Sequence, residues 1–321
     1  MWQAPGRCPR LPGEPVWGCS VSQAGPSSDD AIQPIGFLVA LAPDWRVSRL
    51  SANIGDHLGV PAASLLHQPV TNLFAQDAVH SLRNRLALLR SPASVERLYA
   101  VPLTGTGSQY DIALHMSGTT VVIEAEPSRD HRHDHDSTGT ICGMIAQLGP
   151  IAATPDFFAL AARHMRALTG FDRVLIRRYG AGATETVGEA VRNGAQSLAA
   201  AGQAMRSDDG RTILTIIPDT AADPIAILAP SEARQGRLDL SHAMLLAAPP
   251  ARQAALRKSG VGAAIEVPLV IAGRHWGEII CHHRAPACPS FERRSAIEWF
   301  AMMLGMQIEI RELKARLEAA A

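Results

Sequence analysis

The sequence lacks a charge excess of either sign. Thirty lysines and arginines balance thirty aspartates and glutamates. A general nucleic-acid binder normally carries a basic excess, so direct nucleic-acid binding is not expected. It also lacks any CxxC pair. The five cysteines, Cys8, Cys19, Cys142, Cys281 and Cys288, are odd in number and irregular in spacing. That pattern suits a reducing compartment better than a disulfide framework. No basic N-terminal segment leads into an apolar run, so no secretory leader is expected. No run approaches the roughly 18 to 20 apolar residues of a membrane span, so the expectation is a soluble, cytoplasmic protein without membrane contact. GxSxG, HExxH, P-loop and kinase signatures are missing too, and no enzymatic activity is expected.

What is present is enough apolar material for two ordinary domains, 47% of 321 residues. Residues 1–30 are rich in Pro, Gly and Ser and read as a flexible arm, although Trp2 and Trp17 suggest that part of it packs. From Ile32 the pattern becomes regular. Ile35 to Leu41 and Arg46 to Leu50 read as strands, Ile54 to Leu58 and Ala75 to Leu89 as helices. Glu96 to Leu103, Tyr110 to Met116 and Thr120 to Glu126 read as three more strands. Two strands, short helices, then three strands is the order of a PAS domain, with a five-stranded sheet.

After a polar linker at 128–140 the chain resumes with helices at Ile141 to Ile151 and Asp156 to Leu168, the second ended by Gly170. Strands follow at Phe171 to Tyr179, Thr186 to Ala190 and Ile213 to Pro218, with an alanine-rich helix expected at Ala195 to Arg206. Residues 220–240 read as a long loop, and His242 to Leu246 and Pro250 to Lys258 as helices. Ala263 to Ile271 and Trp276 to His282 read as a hairpin turning at Ala272-Gly273-Arg274. A long helix from Phe291 to Ala321 closes the sequence. Ile297, Phe300, Leu304, Ile308, Leu313 and Leu317 recur at helical spacing along it. Its first half can pack on its own sheet, and its last ten residues suit a homodimer or a linker.

Two histidine-bearing stretches stand out. Asp130-His131-Arg132-His133-Asp134-His135-Asp136 alternates metal-ligating types but sits in the linker without fixed geometry, so it reads as a solvated segment and no metal site is expected. His282 and His283 end the strand Gly277 to His283. Adjacent strand residues point to opposite faces, so the two cannot share one ion there.

Several stretches together resemble the PAS-GAF sensory half of a bacteriophytochrome. Ile32-Gln33-Pro34-Ile35-Gly36 resembles the family's IQPHG. Gly170-Phe171-Asp172-Arg173-Val174 resembles GFDRV, and Ile216-Ile217-Pro218-Asp219 resembles LIPDV. Leu256-Arg257-Lys258-Ser259-Gly260-Val261 resembles LRNMGV. Gly273 to Gly277, followed by Ile280-Cys281-His282-His283, resembles GRLWGLIACHH. Their order and spacing match from about residue 19 to about residue 315. The resemblance implies an α+β fold: an N-terminal arm (1–30), a PAS domain (31–127), a linker (128–140), a GAF domain (141–310) and the end of a long signalling helix (311–321). It also implies an arm threaded through a GAF loop in a figure-of-eight knot, with Ile32, counted among the candidate cofactor-binding residues, passing the loop at about 220 to 250.

The resemblance further implies biliverdin, a linear tetrapyrrole, in the GAF domain. Cys19 is the candidate for thioether attachment, a role suited to a thiolate. His282 is the candidate partner of the ring D carbonyl. Arg177 and Arg252 are candidates for the propionates, because a guanidinium pairs bidentately with a carboxylate. Other positions depart from the family. Its aspartate-bearing PASDIP segment falls on Ser197-Leu198-Ala199-Ala200-Ala201. Its propionate-gripping arginine falls on Leu246, a tyrosine on Ala255, and the histidine of IQPHG on Ile35. A conventional red/far-red photocycle is therefore not expected. The alternatives are a PAS-GAF interaction module without bilin, or a redox or other small-molecule sensor using Cys19, Cys281 or the His/Asp linker. A protein signalling partner would be expected for either kind of module.

Overall fold

The computed structural model describes residues 31–91, 94–105, 107–129, 137–180, 183–193, 213–230 and 238–320. Cys19, the alanine-rich segment at 195–206 and the His/Asp stretch at 130–136 lie outside the described residues.

The first half is built on β1 (Ala31–Ile32), β2 (Phe37–Leu41), β3 (Val47–Ser51), β4 (Glu96–Pro102), β5 (Gln109–Ser117) and β6 (Thr120–Pro127). Helices α1 (Ile54–Leu58), α2 (Ala62–Leu65) and α3 (Gln76–Leu86) lie between β3 and β4. Phe37, Val39 and Leu41 alternate with Leu38 and Ala40, and the two sets enter different clusters. The first set packs under the helices with Ile54, Val79 and Leu82. The second packs with Ile32, Leu240 and Leu245 on the other face. The strand is apolar throughout because both of its faces are covered.

The second half contains α4 (Ser137–Leu148), α5 (Asp156–Thr169), β7 (Arg173–Tyr179), β8 (Thr184–Val191), β9 (Thr215–Ile217), β10 (Ile225–Leu228), α6 (Pro250–Lys258), β11 (Ala263–Ile271), β12 (Arg274–His283) and α7 (Phe291–Ala320). Five strands form one antiparallel sheet in the order β8-β7-β12-β11-β9. One face holds the main core, in which Ile279, Cys281, Val174 and Ile265 meet α4, α5 and the first half of α7. The β11–β12 turn is the expected one. Ala272 and Gly273 both have positive φ, 49° and 73°, as the two-residue hairpin turn matching strand twist requires.

Two expectations for the segment before α6 are corrected. Residues 220–240 are not all loop: β10 leaves the GAF half and pairs antiparallel with β3, at Ile227–Ser51 and Leu228–Leu50. The expected five-stranded PAS sheet thereby becomes a seven-stranded one, ordered β1-β10-β3-β2-β6-β5-β4. The edge strand β3 is covered by a strand from the neighbouring domain, which removes a row of unpaired backbone groups. His242 to Leu246 is not a helix. The buried carboxylate of Glu124 on β6 accepts hydrogen bonds from Met244 N at 2.8 Å and Leu245 N at 2.7 Å. Leu246 forms a β-bridge with Ile32. Those partners hold the backbone extended where local pattern alone suggested helix.

Ile32 is held on both sides by the same excursion of chain. It pairs with Ile225 of β10 and bridges Leu246, while Gln33 N donates to Leu245 O and Ala247 N to Ala31 O. The threading expected of the arm concerns residues before Ala31, which lie outside the described residues.

Helix α7 is about 45 Å long at 1.5 Å per residue, and it splits the expected apolar stripe in two. Ile297, Phe300, Leu304 and Ile308 are buried on the GAF sheet. Leu313 and Leu317 are instead exposed, and they continue a second line begun by the exposed Met302, Met306 and Ile310.

Candidate functional site

The sheet's other face, partly covered by α6, is where chemistry is concentrated. Cross-strand partners share a face, so the register defines its members. His282 lies opposite Arg173 on β7 and Ala264 on β11. Ile280 lies opposite Leu175 and Glu266, and Glu278 opposite Arg177 and Pro268. Along β12 the charged and polar positions therefore alternate with Ile279 and Cys281, which point into the core. Leu256 of α6 packs on this face with Ala264, Ile217 and Val261.

His282 is 2% exposed, and its Nδ1 has no hydrogen-bond partner among the described residues. Burial, reinforced by the guanidiniums of Arg173, Arg252 and Arg177, lowers its pKa to about 4. The ring is therefore neutral near pH 7, with one nitrogen a donor and the other an acceptor. His283 points away, as expected of the adjacent residue. Its ring lies 5.4 Å from that of Phe171, and its Nδ1 is 2.9 Å from Asp172 Oδ2. Asp172 Oδ2 also accepts Arg284 N, and Asp172 N donates to His282 O. The Gly-Phe-Asp stretch is thus the clasp that fixes the end of β12. It begins at Gly170, whose φ of 75° closes α5.

The two candidate arginines both reach the α6 face, but each meets a carboxylate of the chain. Arg252 donates to Glu266 Oε1 from Nε, at 2.8 Å, and from Nη2. Arg177 Nη1 lies 3.5 Å from Glu278 Oε1. Neither glutamate stood out in the sequence. Both sit inside apolar strands, and only the register brings them to the face that carries His282. A charged residue at an otherwise apolar strand position was the available sign. The pKa of Glu278 is raised, first by burial and then by the charge of Glu266, against the opposing pull of Arg177.

Ile32 is brought to a different place. It is fully buried between the PAS sheet and the 238–246 segment, with Leu38, Leu240 and Leu245. It does not share the face of His282. Cys281 does not fit the redox expectation. It is wholly buried in the main core, and burial pushes its thiol far above the ordinary value, the opposite of a reactive thiolate. Among the described residues no group of three or more His, Cys, Asp or Glu side chains could hold a metal ion. None of the helices there is long and apolar enough to cross a membrane.

With this geometry in place, comparison with known proteins is decisive. A PAS-fold profile matches residues 27–128, and a GAF-domain profile matches residues 154–311. The "Cyanobacterial phytochrome B" of Nostoc sp. is 25% identical over 293 residues, 88% of this chain. The chain is similar to phytochromes over most of its length, as a PAS-fold region followed by a GAF domain. The bacteriophytochrome of Pseudomonas aeruginosa is 25% identical over 303 residues, 87% of the chain. Among solved structures, the chromophore-binding domain of an unusual bacteriophytochrome, RpBphP3 from R. palustris, superposes with a TM-score of 0.71 at 25% identity. That match covers 89% of this chain and 96% of that one. A longer structure of RpBphP3 gives 0.74 at 27%, covering 90% and 60%. The chain spans 39% of the length of the Nostoc and Pseudomonas relatives. Neither a PAS nor a GAF domain is by itself catalytic.

Proposed function

We propose that this phytochrome-like module binds a linear tetrapyrrole, biliverdin, against the α6 face of its GAF sheet, with His282 as the central polar contact. The supporting observation is His282 itself: fully enclosed, neutral, and with a ring nitrogen left without a partner among the described residues. A buried polar atom without a partner costs about 1 to 3 kcal/mol, which a bound carbonyl or ring N–H would recover. The residues present fit such a ligand. His282 offers a donor to a terminal carbonyl, Glu278 an acceptor to ring N–H groups, and Leu175, Ile280 and Ala264 an apolar floor. When bound, the tetrapyrrole would supply a visible chromophore.

Cys19 is the proposed attachment point, in the arm that enters the fold at Ala31. Zinc-induced fluorescence of the denatured protein tests this, after co-expression with a haem oxygenase. Fluorescence that follows the protein band and disappears in Cys19→Ala supports the thioether. Equal fluorescence in both, or none in either, contradicts it. A conventional red/far-red photocycle is not part of the proposal, because the family's aspartate is replaced by the sequence at 197–201. Output is proposed to run through α7 in a cytoplasmic homodimer whose contact is the exposed line Met302, Met306, Ile310, Leu313 and Leu317. Those residues repeat at three and four positions, the spacing of a two-helix seam.

A further inference from the structure

Where α7 leaves the fold, four side chains close on one another. Strict alternation along β12 would place Trp276 with Glu278, on the face turned away from the main core. Trp276 lies on the core face instead, packed against that cluster. The cause is a β-bulge. Leu269 pairs with Gly277 and Val270 with His275, which leaves Trp276 as the extra residue. The bulge turns the indole toward the helices. There it stacks on Phe158 of α5, with ring centroids 5.7 Å apart and planes 20° apart. Its Nε1–H donates to Glu312 Oε1 of α7 at 2.6 Å.

Arg311, the neighbour of Glu312, completes the ring. Its guanidinium carbon lies 5.6 Å from the Phe158 ring centroid and 5.5 Å from that of Phe157, within cation–π reach. Its Nη1 donates to Ala152 O and, at 3.0 Å, to Thr154 O. Those carbonyls lie just past the single helical turn Gly149–Ile151 that follows α4. Carbonyls at a helix end lack the donors that a further turn would supply. Adjacent residues of one helix thus grip two different elements: β12 through Trp276, and the α4–α5 connection through its carbonyls. Arg311 and Glu312 are also the last partly buried residues of α7, and residues 313–320 are exposed.

We propose that Trp276, Phe158, Arg311 and Glu312 form a latch that fixes α7 where it leaves the fold and ties its last turns to β12. A shift of β12 that withdraws the indole from Glu312 releases the turns beyond Ile308. The first half of the helix stays on the sheet, held by its own apolar contacts. Because β12 also carries His282, the latch gives the candidate site a physical connection to the end of α7. The latch itself needs no ligand, so its test stands apart from the bilin reading.

Amide hydrogen–deuterium exchange of the full, ligand-free chain tests this. Trp276→Phe keeps a stacking ring but loses the indole N–H, and Glu312→Ala loses its acceptor. Each should speed exchange at residues 309–317 by about threefold to tenfold, the worth of one net hydrogen bond. Glu312→Ala should do so although alanine is the better helix former. Exchange at residues 295–305 should not change. Glu312→Gln keeps an acceptor and should accelerate exchange less than Glu312→Ala. Combining Trp276→Phe with Glu312→Ala should add little to the faster single variant, because both remove the same bond. Unchanged exchange at 309–317 in both single variants overturns the proposal. Equal acceleration along the whole of α7 also overturns it, because that marks a general loss of stability. If Trp276→Phe does not fold, as judged by its far-ultraviolet circular dichroism, Glu312→Ala at the partly exposed end of the helix decides alone.

Discussion

Arg294 and Glu126 meet in the seam between the two domains, with Arg294 Nη2 2.6 Å from both carboxylate oxygens. The arginine is on the first turns of α7 and is completely buried, and the glutamate is on β6 of the PAS sheet. A second pair reinforces the seam. Arg97 of β4 donates to Glu298 of α7, whose other oxygen accepts Leu214 N just before β9. The helix proposed to carry output is therefore tied to the PAS domain as well as to the GAF sheet.

Breaking that contact from one side should cost far more than removing it altogether. Glu126→Ala leaves a buried guanidinium unpaired and should destabilise the module by about 3 to 5 kcal/mol. Replacing both partners with methionine should recover most of that loss. Chemical denaturation of the single and double variants measures the difference. Equal destabilisation by both would show that the pair itself, rather than the stranded charge, carries the energy.

The strand pair β7–β12 tolerates no side chain at Gly277. A Cβ there would lie 2.0 Å from Arg177 O, a backbone atom that cannot swing aside. Gly277→Ala should cost at least about 1 to 3 kcal/mol and displace Arg177. Gly143, within α4, has open space around its Cβ position. Gly143→Ala should stabilise by about 0.5 to 1 kcal/mol through helix propensity. Thermal unfolding of the two variants should shift in opposite directions.

His282 predicts a sloping pH–stability profile. Its pKa is about 4 in the fold against an ordinary value of 6.5. Above 6.5 the ring is neutral in both states. As pH falls from 6.5 to 4 the unfolded chain takes up a proton that the folded one refuses. Stability then drops, by about 3 kcal/mol in total, and the loss is constant below 4. Glu278, whose pKa is raised above 4.5, acts in the other direction: its contribution is full below 4.5 and is lost as pH rises through its folded pKa. His282→Gln should flatten the profile between pH 6.5 and 4, seen by denaturation at each pH. A profile identical to that of the unmodified chain would contradict the buried neutral ring.

The exposed line on α7 predicts association. Replacing Met306 and Leu313, 53% and 52% exposed, with glutamate should convert a dimer to a monomer in sedimentation velocity. Unfolding of the protomer should be unchanged, because neither side chain belongs to its core. A chain that is monomeric before the substitution would contradict the proposed seam.

The fold was readable in the sequence wherever a local pattern had a local cause. Pro250 to Lys258 and Ala263 to Ile271 fall where periodicity places them, and Gly170 and Gly273 close a helix and a hairpin as their φ angles require. The misread stretch is 220–246, where the deciding partners are distant. Strand β10 is organised by β3 of the other domain, and Met244 and Leu245 by a glutamate about 120 positions earlier. His282 was legible because it ends an apolar strand in a recognisable motif. Glu266 and Glu278 were not, because their meaning depends on tertiary partners: register sets Arg177 opposite Glu278, and the packing of α6 sets Arg252 against Glu266.

The most direct test of the central reading is the absorbance spectrum after biliverdin is added to the purified chain and to its His282→Ala variant. The account predicts an intensified, red-shifted band with the unmodified chain that is shifted or weakened in the variant. A spectrum indistinguishable from free biliverdin in the same buffer, with or without His282, would contradict it.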